Sequence, residues 1–177
     1  MLITTSNRRL HEMNIRKATL GELSQIMEIY NRAREYMREN GNTEQWSGSY
    51  PSAELIADDI KAGKCHLCIS RGEIYGVFYF AVESDPTYAI IEEGEWLNGD
   101  AYGVIHRIAV AKHQRGVASF CFDYALSQCG NVKIDTHADN IPMQKALAKN
   151  GFARCGIIHL ANGDPRIAFQ KCIQNAT

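Results

Sequence analysis

Apolar residues recur every three to four positions in several stretches of the chain, separated by shorter apolar or alternating runs. Leu20, Leu23, Met27, Tyr30, Ala33 and Met37 form the first stripe, which places a helix up to about Asn40. Thr19, with Glu22 three positions later, is a capping box that starts it, and Gly41 stops it. A polar loop from 42 to 50 follows. A second helix opens at Pro51-Ser52, turns Leu55, Ile56 and Ile60 inward and ends at Gly63. Val117, Phe120, Cys121, Tyr124 and Ala125 give a third stripe, closed near Gly130. Pro142 suits the first turn of a fourth helix, and Gly151 ends it. Strand-like runs cover 13–18, 67–70, 74–82, 103–110, 132–136, 152–159 and 166–171, with Arg71-Gly72-Glu73 as a hairpin turn. The order β-α-α-β-β-β-α-β-α-β-β predicts a mixed α/β domain.

Length adds that there is one such domain. The 177 residues suit a single core, spanning 14–173, with residues 1–13 as an N-terminal extension and 174–177 as a tail. A formal net charge of -1 and 22% charged residues disfavour a nucleic-acid binder or a polybasic membrane-surface protein. No apolar run reaches the ~18 residues of a membrane span. Arg8 and Arg9 precede no apolar run of signal-peptide length, so the expected location is cytoplasmic and the six cysteines are expected as thiols. Cys65 and Cys68 form a C-x-x-C, but their three-residue offset on a strand puts them on opposite faces. A structural role is the expectation for both, and no metal.

The segment 105–124 carries the most chemistry. Lys112, His113, Gln114, Arg115 and Gly116 join an apolar strand directly to a helix. Such a junction aims backbone N–H groups and the positive end of a helix dipole at one spot. Gly116 permits close approach of an anion, and Arg115 adds a charge suited to phosphate. An ordinary turn with solvated basic residues has the same composition.

Arg107-Ile108-Ala109-Val110 followed by Arg115-Gly116-Val117-Ala118 resembles motif A of the GNAT superfamily, the acyl-CoA-dependent N-acyltransferases. Asp139-Asn140-Ile141-Pro142-Met143, running to Lys149-Asn150-Gly151-Phe152, resembles motif B. The element order from Ile15 to Lys171 is similar to that family's fold, a central mixed, mostly antiparallel sheet flanked by about four helices. The resemblance implies acetyl-CoA as donor. It implies that Ile108 and Val110 offer main-chain hydrogen bonds to the pantetheine arm from a splayed strand. The N–H groups of Gln114, Arg115, Gly116, Val117, Ala118 and Ser119 would hold the pyrophosphate. Asn140 would meet the pantetheine or thioester end, though its place before Pro142 equally suits a helix N-cap. The N–H of Val110 would stabilise the oxyanion. Two departures stand out. The loop is shorter than the commoner family form, with His113 where a Gln or Arg would lead. Leu147 occupies the position, seven after Asn140, where the family often has a Tyr acid.

Acyl transfer needs a neutral amine, and histidine is the side chain that titrates near neutral pH. His106 lies four residues before Val110, where the family often places a catalytic Glu. Strand alternation puts His106, Ile108 and Val110 on one face, so His106 is the candidate base. A histidine bonded within the sheet is the alternative. His137 is a second candidate, or an anchor of its strand end. Gln45, Trp46 and Tyr50 lie in the loop between the first two helices and suit a pocket for the acceptor; an Ω-loop packed on its own Trp has the same composition. Six acids between 83 and 100, with no Lys or Arg, predict steering of a cationic acceptor or simply a solvated face. The functional expectation is an N-acetyltransferase acting on a primary amine of a small molecule or peptide, by direct transfer in a ternary complex. The alternative is a non-catalytic acyl-CoA sensor of the same fold; a homodimer is left open.

Overall fold

The computed structural model describes residues 13–111 and 115–173. Residues 1–12 of the expected extension, the tail, and Lys112, His113 and Gln114 of the loop fall outside these residues.

Each predicted helix forms, and local chemistry sets its ends. The Thr19–Glu22 capping box is made, with Arg16 hydrogen-bonded to the Glu22 carboxylate. It opens a short 3₁₀ turn, Leu20–Glu22, that runs into helix α1, Leu23–Glu39. Ser52 Oγ accepts from Leu55 N at 3.2 Å and caps α2, Ala53–Lys61. Helix α3, Val117–Cys129, starts at Gly116. Helix α4, Ile141–Lys149, is capped by Asn140 Oδ1, which accepts from Met143 N at 3.2 Å.

Seven strands form one sheet: β1 Asn14–Lys17, β2 Cys65–Ser70, β3 Glu73–Val82, β4 Gly103–Val110, β5 Asn131–Thr136, β6 Ala153–His159 and β7 Pro165–Cys172. Their spatial order is β1-β2-β3-β4-β5-β7-β6, antiparallel throughout except for β4 and β5. The parallel pair meets only at Gly103 with Val132 and Val104 with Lys133. Beyond Ile105 the two strands separate.

One face of the sheet packs under α3 and α4, with Phe78, Ile105, Ile108, Phe122 and Leu147 buried there. The other packs under α1 and α2 through Ile26, Tyr30, Ile56, Leu67, Val77 and Ala109. That second face continues as Tyr79, Tyr88, Val104, Ile158 and Ala168 beneath the 83–102 segment. Cys65 and Cys68 lie in clusters on opposite faces, as their spacing predicts. Gly76 brings β3 against α3: a Cβ there would meet Val117 Cγ1 at 2.8 Å, closer than van der Waals contact allows.

Strict alternation along β4 does not hold. Val77 pairs with Ala109 and Tyr79 with His106, so three steps on β4 oppose two on β3. The extra residue is a β-bulge at Arg107, whose φ is 50°, a left-handed conformation uncommon without glycine. His106 therefore faces the second side of the sheet, its ring tilted against those of Tyr79 and Tyr88, while Ile108 and Val110 pack on the first. The expectation that the three share one face is corrected by this single residue. No helix among the described residues is long and apolar enough to cross a membrane.

Candidate active site

The bulge is held from three directions. Tyr30 Oη, buried in α1, donates to the Arg107 carbonyl at 2.8 Å. The Arg107 guanidinium donates from Nε and Nη2 to Asp59 Oδ2 at 3.2 and 2.7 Å. It also lies over the Tyr79 ring, 4.8 Å from its centroid. Burial pushes the Asp59 carboxyl up, and Arg107 opposes it.

Turned to the second face, His106 meets one of the six acids of the 83–100 segment, Asp85. Its Nε2 lies 2.9 Å from Asp85 Oδ2. Asp85 is fixed by a short turn: its Oδ1 accepts from Thr87 N at 2.8 Å and Thr87 Oγ1 at 2.7 Å, and its N–H donates to Tyr102 Oη. Burial pushes the Asp85 carboxyl up, but the His106 and Thr87 hydrogen bonds prevail and bring it down to about 2. An ionised carboxylate only accepts, so Nε2 carries the proton. In neutral His106 the lone pair is then on Nδ1. That atom lies 3.8 Å from Asp135 Oδ1, which accepts from Tyr88 Oη at 2.7 Å.

This geometry gives a stability prediction. The folded Asp85 carboxyl titrates at about 2, against an ordinary 3.8. Between those values the unfolded chain binds more protons, so stability rises with pH. Native protein should lose stability as pH falls from about 5 towards 2, and Asp85→Asn should lose less over that window, read from urea midpoints. Glu22, also lowered to about 2, chiefly by its hydrogen bond from Arg16, keeps some slope in the variant. Equal slopes in the two proteins would contradict the His106–Asp85 pairing.

Two cavities flank β4. One, of about 380 Å³, is lined by Gln45, Trp46 and Tyr50, by Asp85 and His106, and by Ile108 and Asp135. The other, of about 560 Å³, runs along Ile108, Ala109 and Val110 between α1 and the start of α4. Met37, Ile108, Asn140 and Met143 border both, so the two spaces meet where β4 and β5 part. Ala111 N donates to Tyr75 O at 2.8 Å on β3. Alternation of backbone direction then turns the N–H groups of Ile108 and Val110 to the opposite edge, into the gap.

Gln45, Trp46 and Tyr50 share a cavity with His106, and Trp46 is also packed edge-on against Tyr30, centroids 5.6 Å apart. Asn140 caps α4 and donates from Nδ2 to Gln45 Oε1 at 2.8 Å, so its side chain is already engaged. Gly116, with φ 86°, starts α3, leaving the N–H groups of Val117, Ala118 and Ser119 in its first turn; Ala118 lines the larger cavity. Arg115 is exposed. His137 borders neither cavity; its Nδ1 accepts from Asp139 N at 3.1 Å within the turn that follows β5. Leu147 is fully buried core. The acidic segment is not uncompensated: Lys64 Nζ lies 2.6 Å from Glu83, and Asp85 is taken by His106. Asp85 carried one signal in sequence, the Asp-x-Thr turn; Arg107 as a bulge carried none.

A strand splayed from its parallel neighbour, a helix start beside it and two cavities meeting at the split define the acyltransferase architecture that the motifs resemble. A solved acetyltransferase of the GNAT family from Streptococcus agalactiae is 31% identical, with a TM-score of 0.85, over 92% of this chain and 96% of that one. The chain belongs to the GNAT family. A GNAT acetyltransferase from Listeria monocytogenes shares the fold at 20% identity and a TM-score of 0.67, over 91% and 95% of the two chains. Naa50 of Arabidopsis thaliana, solved with the bisubstrate analogue CoA-Ac-MVNAL, shares it at 15% identity and a TM-score of 0.59, over 92% and 99%. No family model and no curated protein matches the chain.

Proposed function

We propose that this acetyltransferase moves an acetyl group from acetyl-CoA to a primary amine of a small molecule or peptide, directly, in a ternary complex. The observation that carries the reading is the His106–Asp85 pair in one cavity, joined at Ile108 to a groove along the open edge of β4. Naa50, of the same fold, is held by an analogue that joins coenzyme A to a peptide, which supports coenzyme A in the groove and an acceptor beyond it.

The residues present fit acetyl-CoA. The open N–H groups of Ile108 and Val110 suit the amide carbonyls of a pantetheine arm. Asn42, on the groove wall, keeps a side-chain carbonyl without a partner among the described residues. The first turn of α3, thirteen residues long, offers N–H groups and a positive dipole end to pyrophosphate. Bound acetyl-CoA supplies the acetyl group as a thioester. The thiol leaves readily as thiolate, since its ordinary pKa is ~8.5, so Leu147 in place of a Tyr acid does not prevent turnover.

His106 does the proton work. An acceptor ammonium enters between the Asp85 and Asp135 carboxylates and gives one proton to Nδ1, directly or through water. After the amine attacks the thioester carbon, its second proton leaves with the departing thiolate as the C–S bond breaks. Asp85, ionised throughout the working range, holds the ring by Nε2–H and stabilises the imidazolium. The N–H of Val110 faces the developing oxyanion. The non-catalytic sensor is not favoured, because simple binding gives no role to a histidine held between two carboxylates.

Calorimetric titration of acetyl-CoA, with ATP as control, tests the donor half of this reading. Saturable 1:1 binding with ATP silent is expected; no binding of acetyl-CoA would overturn it.

A further inference from the structure

Arg166 is a cation at the acceptor cavity that the described residues leave unanswered. It stands near the start of β7, paired with Ile158 of β6, and is 6% exposed. Its Nη1 donates to the Pro165 carbonyl at 2.9 Å, one use of a group with five N–H donors. No carboxylate among the described residues lies within 4.0 Å of the guanidinium. Arg107, the other arginine bordering this cavity, is committed to Asp59. Asp164, two residues before Arg166, accepts from Asn162 Nδ2 at 2.9 Å instead. Nor are the remaining Arg166 nitrogens sealed in protein. Among the described residues only Asn42 Oδ1 and Ser70 Oγ are buried side-chain polar atoms without a partner. The free donors of Arg166 therefore keep some access to solvent, and the residue itself borders the cavity.

A buried guanidinium is costly unless an anion completes it, and its planar fork matches a carboxylate. Register places that fork. Asp135 pairs with Ala168, two residues from Arg166, so Asp135 and Arg166 are diagonal neighbours on one sheet face. Asp135 also stands 3.8 Å from His106. One wall of the cavity thus presents, across β4, β5 and β7, an anionic end at Asp85 and Asp135 and a cationic end at Arg166.

We infer that the acceptor carries a carboxylate besides its reacting amine, as an amino acid does, with the ammonium at the His106 end and the carboxylate in the fork of Arg166. The inference rests on the acetyl-transfer reading above and names the substrate class of that same cavity.

The test uses the full chain with acetyl-CoA and the standard amino acids, each against its carboxamide, with L-lysine against cadaverine, following thiol release. For the preferred acceptor, kcat/KM should exceed that of the carboxylate-free analogue by about 10-fold or more. Arg166→Gln should raise KM for the carboxylate form by roughly 10- to 100-fold. It should leave kcat/KM for the analogue and the Kd of acetyl-CoA unchanged, and Arg166→Lys should recover part of the loss. Equal use of acids and carboxamides would overturn the inference. So would a parallel fall of both in Arg166→Gln, the mark of a structural role. Should no amine of either kind release thiol, the transfer reading fails by itself. Calorimetric titration of the same compounds then decides the site: binding that needs the carboxylate and is lost in Arg166→Gln upholds it, and any other result overturns it.

Discussion

Replacing His106 by Gln should lower kcat/KM by roughly 10²- to 10⁴-fold, the range a positioned general base contributes, with acetyl-CoA binding unchanged. The two effects separate because His106 faces the second side of the sheet, with Asp85 and Asp135, while Ile108 and Val110 line the donor groove. Gln keeps a donor for Asp85 but has no basic ring nitrogen. Removing a general base should also change the shape of the pH–rate profile, which loss of a packing role alone would not do. Steady-state kinetics across pH, with acetyl-CoA titrated by calorimetry, reads all three. Native rates in the variant would move the base elsewhere.

The second large effect falls on stability. Arg107→Met should cost about 3–5 kcal/mol, because it leaves Asp59 buried without its cation. Asp59 is 8% exposed, and Arg107 supplies both of the hydrogen bonds that its Oδ2 accepts. Such a loss is a large fraction of an ordinary domain's 5–15 kcal/mol. Replacing both residues by apolar ones should cost much less than the two single changes added, since the stranded charge is then gone. Urea unfolding of the four proteins measures it. A loss below about 0.5 kcal/mol in Arg107→Met, ordinary for a surface site, would show that the pair does not hold the bulge.

Both effects rest on contacts between residues far apart in the chain. Helix ends were legible because they rest on residues within three or four positions: Thr19 with Glu22, Ser52 with Leu55, Asn140 with Met143. Element order was legible because the two faces of the sheet bury different residues of each strand. The bulge was not, since Arg107 takes a left-handed conformation with no glycine to announce it; its support comes from Tyr30 and Asp59, 77 and 48 residues away. Without the bulge, alternation set His106 on the wrong face. Asp85 looked like one of several loose acids because its partner lies 21 residues on. Arg166 read only as the opening of a strand, and its burial without a carboxylate partner among the described residues shows only in the folded chain. The motif set Ile108 and Val110 on β4, where both border the groove; the surroundings of side chains such as His106 depended on pairings across the sheet.

The most direct test mixes the purified protein with acetyl-CoA and a panel of primary amines and follows free thiol together with acetylated product by mass spectrometry. Thiol and N-acetyl product should appear in equal amounts, only when an amine acceptor is present, and with no acetyl group left on the protein. Saturable acetyl-CoA binding with no thiol released by any amine would contradict catalysis. Thiol release without acceptor, leaving an acetylated protein, would contradict direct transfer.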